Sequence, residues 1–198
     1  MMKYPYRLIV IAALLTVFSG CNVVIQTPGP SSYNPSGNNP SGNNPPSGNT
    51  PTGAEPNWGV QTKTSGCMVR GPLPDPACTP GALLATGTKD AICQPGYART
   101  VRNVPESEKR QVFAEYGIVS HSAGEFEVDH LVSLELGGSN DIANLWPEAA
   151  SPRPGFHEKD KVENYLHDQV CAGAISLKQA QIEIATNWLA VYNRMPTR

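Results

Sequence analysis

Within the stretch EFEVDHLVSLELGGSNDIANLWPE, residues 125–148, a carboxylate and an imidazole stand side by side as Asp129 and His130. A Gly137–Gly138 pair turns the chain, and Asn144 arrives on the return, fourteen positions after His130. A carboxylate can hold a divalent cation, and an imidazole with an ordinary pKa near 6.5 can take a proton at neutral pH. Together they are the minimum equipment for metal-assisted cleavage of a phosphodiester.

Several elements must position this pair. Phe126 and Val128 alternate with Glu125, Glu127 and Asp129, the period of a half-buried strand. Residues 144–146 form a short return strand, and Pro147 is expected to close it. A helix is expected over 157–171, with Val162, Leu166 and Val170 on one stripe and Gly173 ending it. Pro105 opens another helix to about Tyr116, with Glu106 and Glu108 at its positive end. Ser176 and Gln179 read as a capping box for the last helix, whose Leu177, Ala180, Ile184, Trp188 and Val191 face a core. Residues 67–100, rich in Gly and Pro, read as loops with at most short strands.

The N-terminus points to export. Lys3 and Arg7 precede an apolar run over 8–18, too short for the ~20 residues that span a bilayer as a helix. Ser19, Gly20 and Cys21 follow, and the segment resembles a bacterial lipobox with Phe18 in place of the usual Leu. That likeness implies a signal peptide over 1–20, a lipid on Cys21 and attachment to a membrane. Asn22, where an Asp would resemble an inner-membrane retention signal, leaves the outer membrane open as the destination. Residues 21–58 carry near-tandem Asn-Pro-Ser-Gly-Asn units with few apolar side chains, so ordering them would bury too little to offset the entropy lost. They read as a tether of about 35 Å root-mean-square reach. One domain, 59–198, remains.

Four cysteines lie in that domain: Cys67, Cys78, Cys93 and Cys171. An even count in an exported chain favours two disulfides, with three connectivities open and Cys171 placed to staple the C-terminal part to the N-terminal part. No Cys-x-x-Cys pair supports a zinc knuckle. Residues 60–198 carry 13 Lys and Arg against 16 Asp and Glu, and the whole chain has a formal net charge of −2. Tight binding to duplex phosphates usually needs a basic excess. Here Arg70, Arg99, Arg102, Lys109, Arg110, Arg153, Lys159 and Lys161 would have to gather on one face.

The run DHLVSLELGGSNDIANLW, 129–146, resembles the HNH endonuclease superfamily, and the likeness extends to small exported bacterial members through GPLPDPACTPGA and KDKVENYLHDQVC. It implies an α+β domain with a ββα-metal core, flanking helices and a disulfide-held N-terminal part. It further implies His130 as general base, Asp129 as ligand to one divalent ion, and Asn144 either orienting the imidazole or bracing the loop. The expected ion is Mg²⁺, with Mn²⁺, Ca²⁺, Ni²⁺ or Zn²⁺ as alternatives. For a further ligand His157 is favoured, thirteen residues after Asn144, with 151–155 looped out; Glu158 and Asp160 are hard-oxygen alternatives. Asp160, Lys161 and Asn164 share its helical face. His121 and His167 read as surface or core residues.

The implied activity is hydrolysis of DNA, with RNA as an alternative, by a lipid-anchored protein with no protein partner. Two other classes stand beside it. One is a non-catalytic envelope-binding module on the same scaffold. The other is a metal-dependent peptide or glycan hydrolase, disfavoured because no His-Glu-x-x-His is present.

Overall fold

The computed structural model describes residues 54–196. The signal segment, Cys21 and nearly all of the tether lie outside the described residues.

An antiparallel hairpin carries the site. Strand β1, Phe126–His130, pairs with β2, Leu145–Ala149, in the register Phe126 to Ala149, Val128 to Pro147 and His130 to Leu145. Alternation puts Glu127, Asp129, Trp146 and Glu148 on one face, and Val128, His130, Leu145 and Pro147 on the other. Contrary to expectation, Pro147 does not close β2 but sits in its middle. A two-stranded ribbon leaves alternate N–H groups pointing out of the ladder, and at such a position proline forfeits no hydrogen bond.

Between the strands the chain makes two 3-10 turns, Leu134–Leu136 and Ile142–Asn144. Ser133 caps the first through Glu135 N–H, and Asp141 caps the second through Ala143 N–H. Gly138 is required there, since a Cβ on it would lie 1.8 Å from the Val132 carbonyl oxygen.

Among the described residues five helices complete an α+β domain: α1 Lys89–Ile92, α2 Tyr97–Val101, α3 Glu106–Glu115, α4 Phe156–Cys171 and α5 Leu177–Arg194. Helices α1 and α2 fall in the segment expected to be loop. Thr88, whose side chain accepts from Ala91 N–H, starts α1 in spite of the surrounding Gly and Pro. Ser176 caps α5 by accepting from Gln179 N–H at 3.1 Å, while the Gln179 side chain turns to Glu183 instead of closing a reciprocal box. Within α5 the backbone breaks at Asn187, whose side chain recaps the helix through Ala190 N–H.

The expected stripes of α4 and α5 meet. Val162, Leu166 and Val170 pack with Ala180, Ile184, Trp188 and Val191, and Ile92, Val132 and Leu136 fill the remaining side. Each large side chain buried this way contributes roughly 1.5–3 kcal/mol. Trp188 also donates Nε1–H to the Pro72 carbonyl at 3.0 Å. Ordered packing begins ahead of residue 59, because Trp58 rests on this core.

Among the described residues two disulfides hold the loops, Cys67–Cys78 and Cys93–Cys171. The second closes 78 residues and ties the end of α1 to the end of α4. This is the N- to C-terminal staple expected of Cys171.

Candidate catalytic and cation site

His130 ends β1 and is only 2% exposed. Its Nε2 lies 3.1 Å from Asn140 Oδ1. Asn140 in turn donates Nδ2–H to the Val101 carbonyl at 2.8 Å and accepts from Asn103 N–H at 3.1 Å. Burial pushes the imidazole pKa down to about 4, against the opposing pull of Asp129 and the Asn140 hydrogen bond. The ring is therefore neutral at pH 7, the state a general base needs.

Asp129 precedes His130 but points to the opposite face, towards α4. There the Lys159 ammonium, with no exposed side-chain surface, spends all three donors. It donates to Asp129 Oδ2 at 2.7 Å, to the His130 carbonyl at 2.8 Å and to Glu163. Burial presses the Lys159 pKa down, but the carboxylates of Asp129, Glu163 and Glu148 outweigh it and raise the pKa overall. Burial pushes Asp129 up, and the Lys159 charge brings it below its ordinary value. Glu163 is raised to about 7, by burial first, with Lys159 opposing.

Glu148 belongs to the same face and is 1% exposed. Its oxygens lie near enough to Asp129 to bear on its titration, yet neither satisfies hydrogen-bond geometry. Burial pushes its carboxyl up to about 11, so it is protonated and uncharged at neutral pH.

Asn144 is fully buried and satisfied on all sides. Its Oδ1 accepts from Val132 N–H at 2.9 Å and Ala82 N–H at 3.3 Å. Its Nδ2 donates to the Val132 and Ser139 carbonyls at 2.9 and 2.8 Å. These bonds brace the loop, and none reaches the imidazole. The side chain that does reach it, Asn140, was not singled out in the sequence. Its only signal there is its place just after the Gly137–Gly138 turn, one residue from the capping Asp141. The signal for Lys159 is its helical period: it stands three residues before Val162 and seven before Leu166, on the inward stripe, whereas Lys161 does not.

His157, the second residue of α4, is exposed and rests on Phe156 at 4.3 Å between ring centroids. Glu158 folds back on the helix start, accepting from Gly155 N–H at 3.1 Å. Asp160 and Glu127 lie on the Asp129 side. Burial raises both, and the repulsion of Asp129 adds to each; the imidazole of His157 bears on both in the opposite sense. Among the described residues, the one group of three His, Cys, Asp or Glu ligand atoms within 4.8 Å of one another is Cys93, His167 and Cys171. The two sulfurs of that group are joined as a disulfide. Asp129 and His157 therefore do not belong to a closed ligand set. The donors around Asp129 are nevertheless hard carboxylates with one imidazole, a chemistry that suits Mg²⁺ or Mn²⁺.

A cleft of about 430 Å³ lined by Gly96, Ala98, Arg99, Arg102 and Glu135 opens on the α2 side. Arg102 lies close enough to His130 and Glu127 to influence both. Among the described residues neither Arg99 nor Arg102 forms an ion pair. His121 stacks on Phe113, and His167 hydrogen-bonds the Ile92 carbonyl beside the Cys93–Cys171 bridge. No helix among the described residues is long and apolar enough to cross a membrane. The chain matches no protein-family model, no curated protein and no solved structure.

Proposed function

We propose that this chain is a metal-dependent endonuclease of the HNH type that hydrolyses DNA, with RNA as the alternative substrate, outside the cytoplasm. The observation that carries the reading is the neutral His130, tethered at the end of β1 and adjacent in sequence to Asp129 in a group of carboxylates. The hairpin followed by α4 has the order of a ββα-metal core and supports the same reading.

Asp129, Glu127, Asp160 and His157 are the residues that would hold a divalent ion. Bound there, such an ion supplies charge neutralisation at the scissile phosphate and the leaving oxygen. The rest falls to the protein. His130 takes the proton of the attacking water. Asn144 keeps the loop between the strands in one shape, so the ring stays where β1 puts it. Arg99 and Arg102 offer free guanidinium groups to the phosphates that flank the cut, and arginine forks match phosphate oxygens. Lipid on Cys21 would tether the domain to a membrane, with 21–58 as the spacer.

The slight acidity of the domain favours a second reading, an envelope-binding module without catalysis. Plasmid DNA, single-stranded DNA and RNA incubated with oxidised protein in Mg²⁺, Mn²⁺ or EDTA separate the two. Cleavage that needs metal supports the nuclease. A folded protein inert on every substrate and ion points to the module.

A further inference from the structure

Asn140 stands against Nε2 of His130. Its amide is fixed from two sides by backbone groups of opposite character. The Asn103 N–H must find an oxygen, and the Val101 carbonyl must find an N–H. Turning the amide over would set donor against donor and acceptor against acceptor, so only one orientation satisfies both. The atom 3.1 Å from His130 Nε2 is therefore the oxygen, an acceptor, and Nε2 must carry a hydrogen. A neutral imidazole has one such hydrogen, which leaves the lone pair on Nδ1.

Nδ1 makes no hydrogen bond among the described residues. The buried side-chain nitrogens and oxygens without a partner are Tyr97 Oη, Trp146 Nε1 and both oxygens of Glu148. Nδ1 is not one of them.

We propose that Asn140 is a positioning residue that holds His130 as the Nε2–H tautomer, and that Nδ1 is the atom that accepts the proton of the attacking water. The proposal rests on the nuclease reading above. In the step, an O–H bond of water breaks as its oxygen bonds phosphorus, and the proton passes to Nδ1. The leaving oxygen departs with the electron pair of its bond to phosphorus. Throughout, Nε2–H goes on donating to Asn140, so no group in the loop has to turn. The same amide ties the backbone of Val101 and Asn103, which flank Arg102.

The direct test is a two-bond ¹H–¹⁵N correlation spectrum of the ¹⁵N-labelled, oxidised protein at about pH 8, where an imidazole is ordinarily neutral. His130 is assigned by the signals lost in His130→Gln. A protonated Nε2 with an unprotonated Nδ1 is expected. An Nδ1–H ring, or an even mixture of tautomers, overturns the proposal. Asn140→Leu, similar in volume and unable to accept, is expected to shift the ring towards a mixture. It should also lower kcat by about tenfold or more while KM moves by no more than about threefold. An unchanged tautomer in that variant overturns the proposal. If the leucine variant fails to fold, the spectrum of the unaltered protein still decides which nitrogen bears the hydrogen. Unaltered protein that cuts no nucleic acid overturns the base role together with the nuclease reading, whatever the spectrum shows.

Discussion

His130 and Asp129 are consecutive residues on one strand, yet the two faces of β1 are built on different physics. On the His130 face a neutral ring makes one hydrogen bond to the Asn140 amide, and among the described residues its other nitrogen has no partner. On the Asp129 face a fully buried ammonium is saturated by two carboxylates and a carbonyl, with an uncharged Glu148 alongside. The first arrangement leaves a ring nitrogen available. The second spends every Lys159 donor on the protein and ties α4 to the hairpin. A side chain aimed at a site need not act in it: Lys159 is charged and central, but every donor it has is spent on the protein.

The sharpest way to break the contrast is Lys159→Met. It strands the carboxylates of Asp129 and Glu163 in a buried place and is expected to cost about 3–5 kcal/mol in urea unfolding. A loss under about 1 kcal/mol would show that the ammonium is not the tie between α4 and β1. Asn144→Ala comes next. It leaves the buried N–H and carbonyl groups of Val132 without partners, and a loss of roughly 1–3 kcal/mol is expected, read from the same unfolding curves. Activity per folded molecule should fall less than for a change at His130.

Glu148→Gln is the mildest change and tests the uncharged state of that carboxyl. Its folded pKa of about 11 stands above the ordinary value of 4.5. Between those values the folded protein holds a proton that the unfolded chain has released, so stability falls as pH rises. Glutamine removes that dependence. The variant is expected to gain on the unaltered protein by up to about 1 kcal/mol per pH unit between pH 5 and pH 9. Parallel stability profiles would mean Glu148 is ionised in the fold. His130 gives the opposite slope. Its folded pKa is depressed to about 4 from 6.5, so the protein loses stability as pH falls through that window. His130→Gln should flatten the acid limb of a thermal-melt series.

The helices and strands could largely be read from the chain, because each rests on local signals. Alternation at 125–129, the Val162, Leu166 and Val170 stripe and the Ser176 cap are periodicities or capping residues that the sequence states outright. Helix α1 was obscured because Gly and Pro around it outweighed a single threonine cap. Pro147 misled because a proline stops a strand only where its missing N–H is needed, and that depends on the partner strand. Within the site, Asp129 and His130 were legible as a pair, whereas their separation onto opposite faces follows from the strand alternation that places them. Lys159 stands on the stripe of Val162 and Leu166, whereas the role of Asn140 depends on Val101 and Asn103, nearly forty residues earlier. Contacts that distant leave no trace in local spacing.

The measurement that bears most directly on the account is plasmid cleavage by oxidised protein in Mg²⁺ or Mn²⁺, run beside a His130→Ala variant matched for folded content by near-ultraviolet circular dichroism. Metal-dependent cutting is expected, falling by about 10²–10⁴-fold in the variant. Equal cutting by both proteins, or none by either, would contradict it.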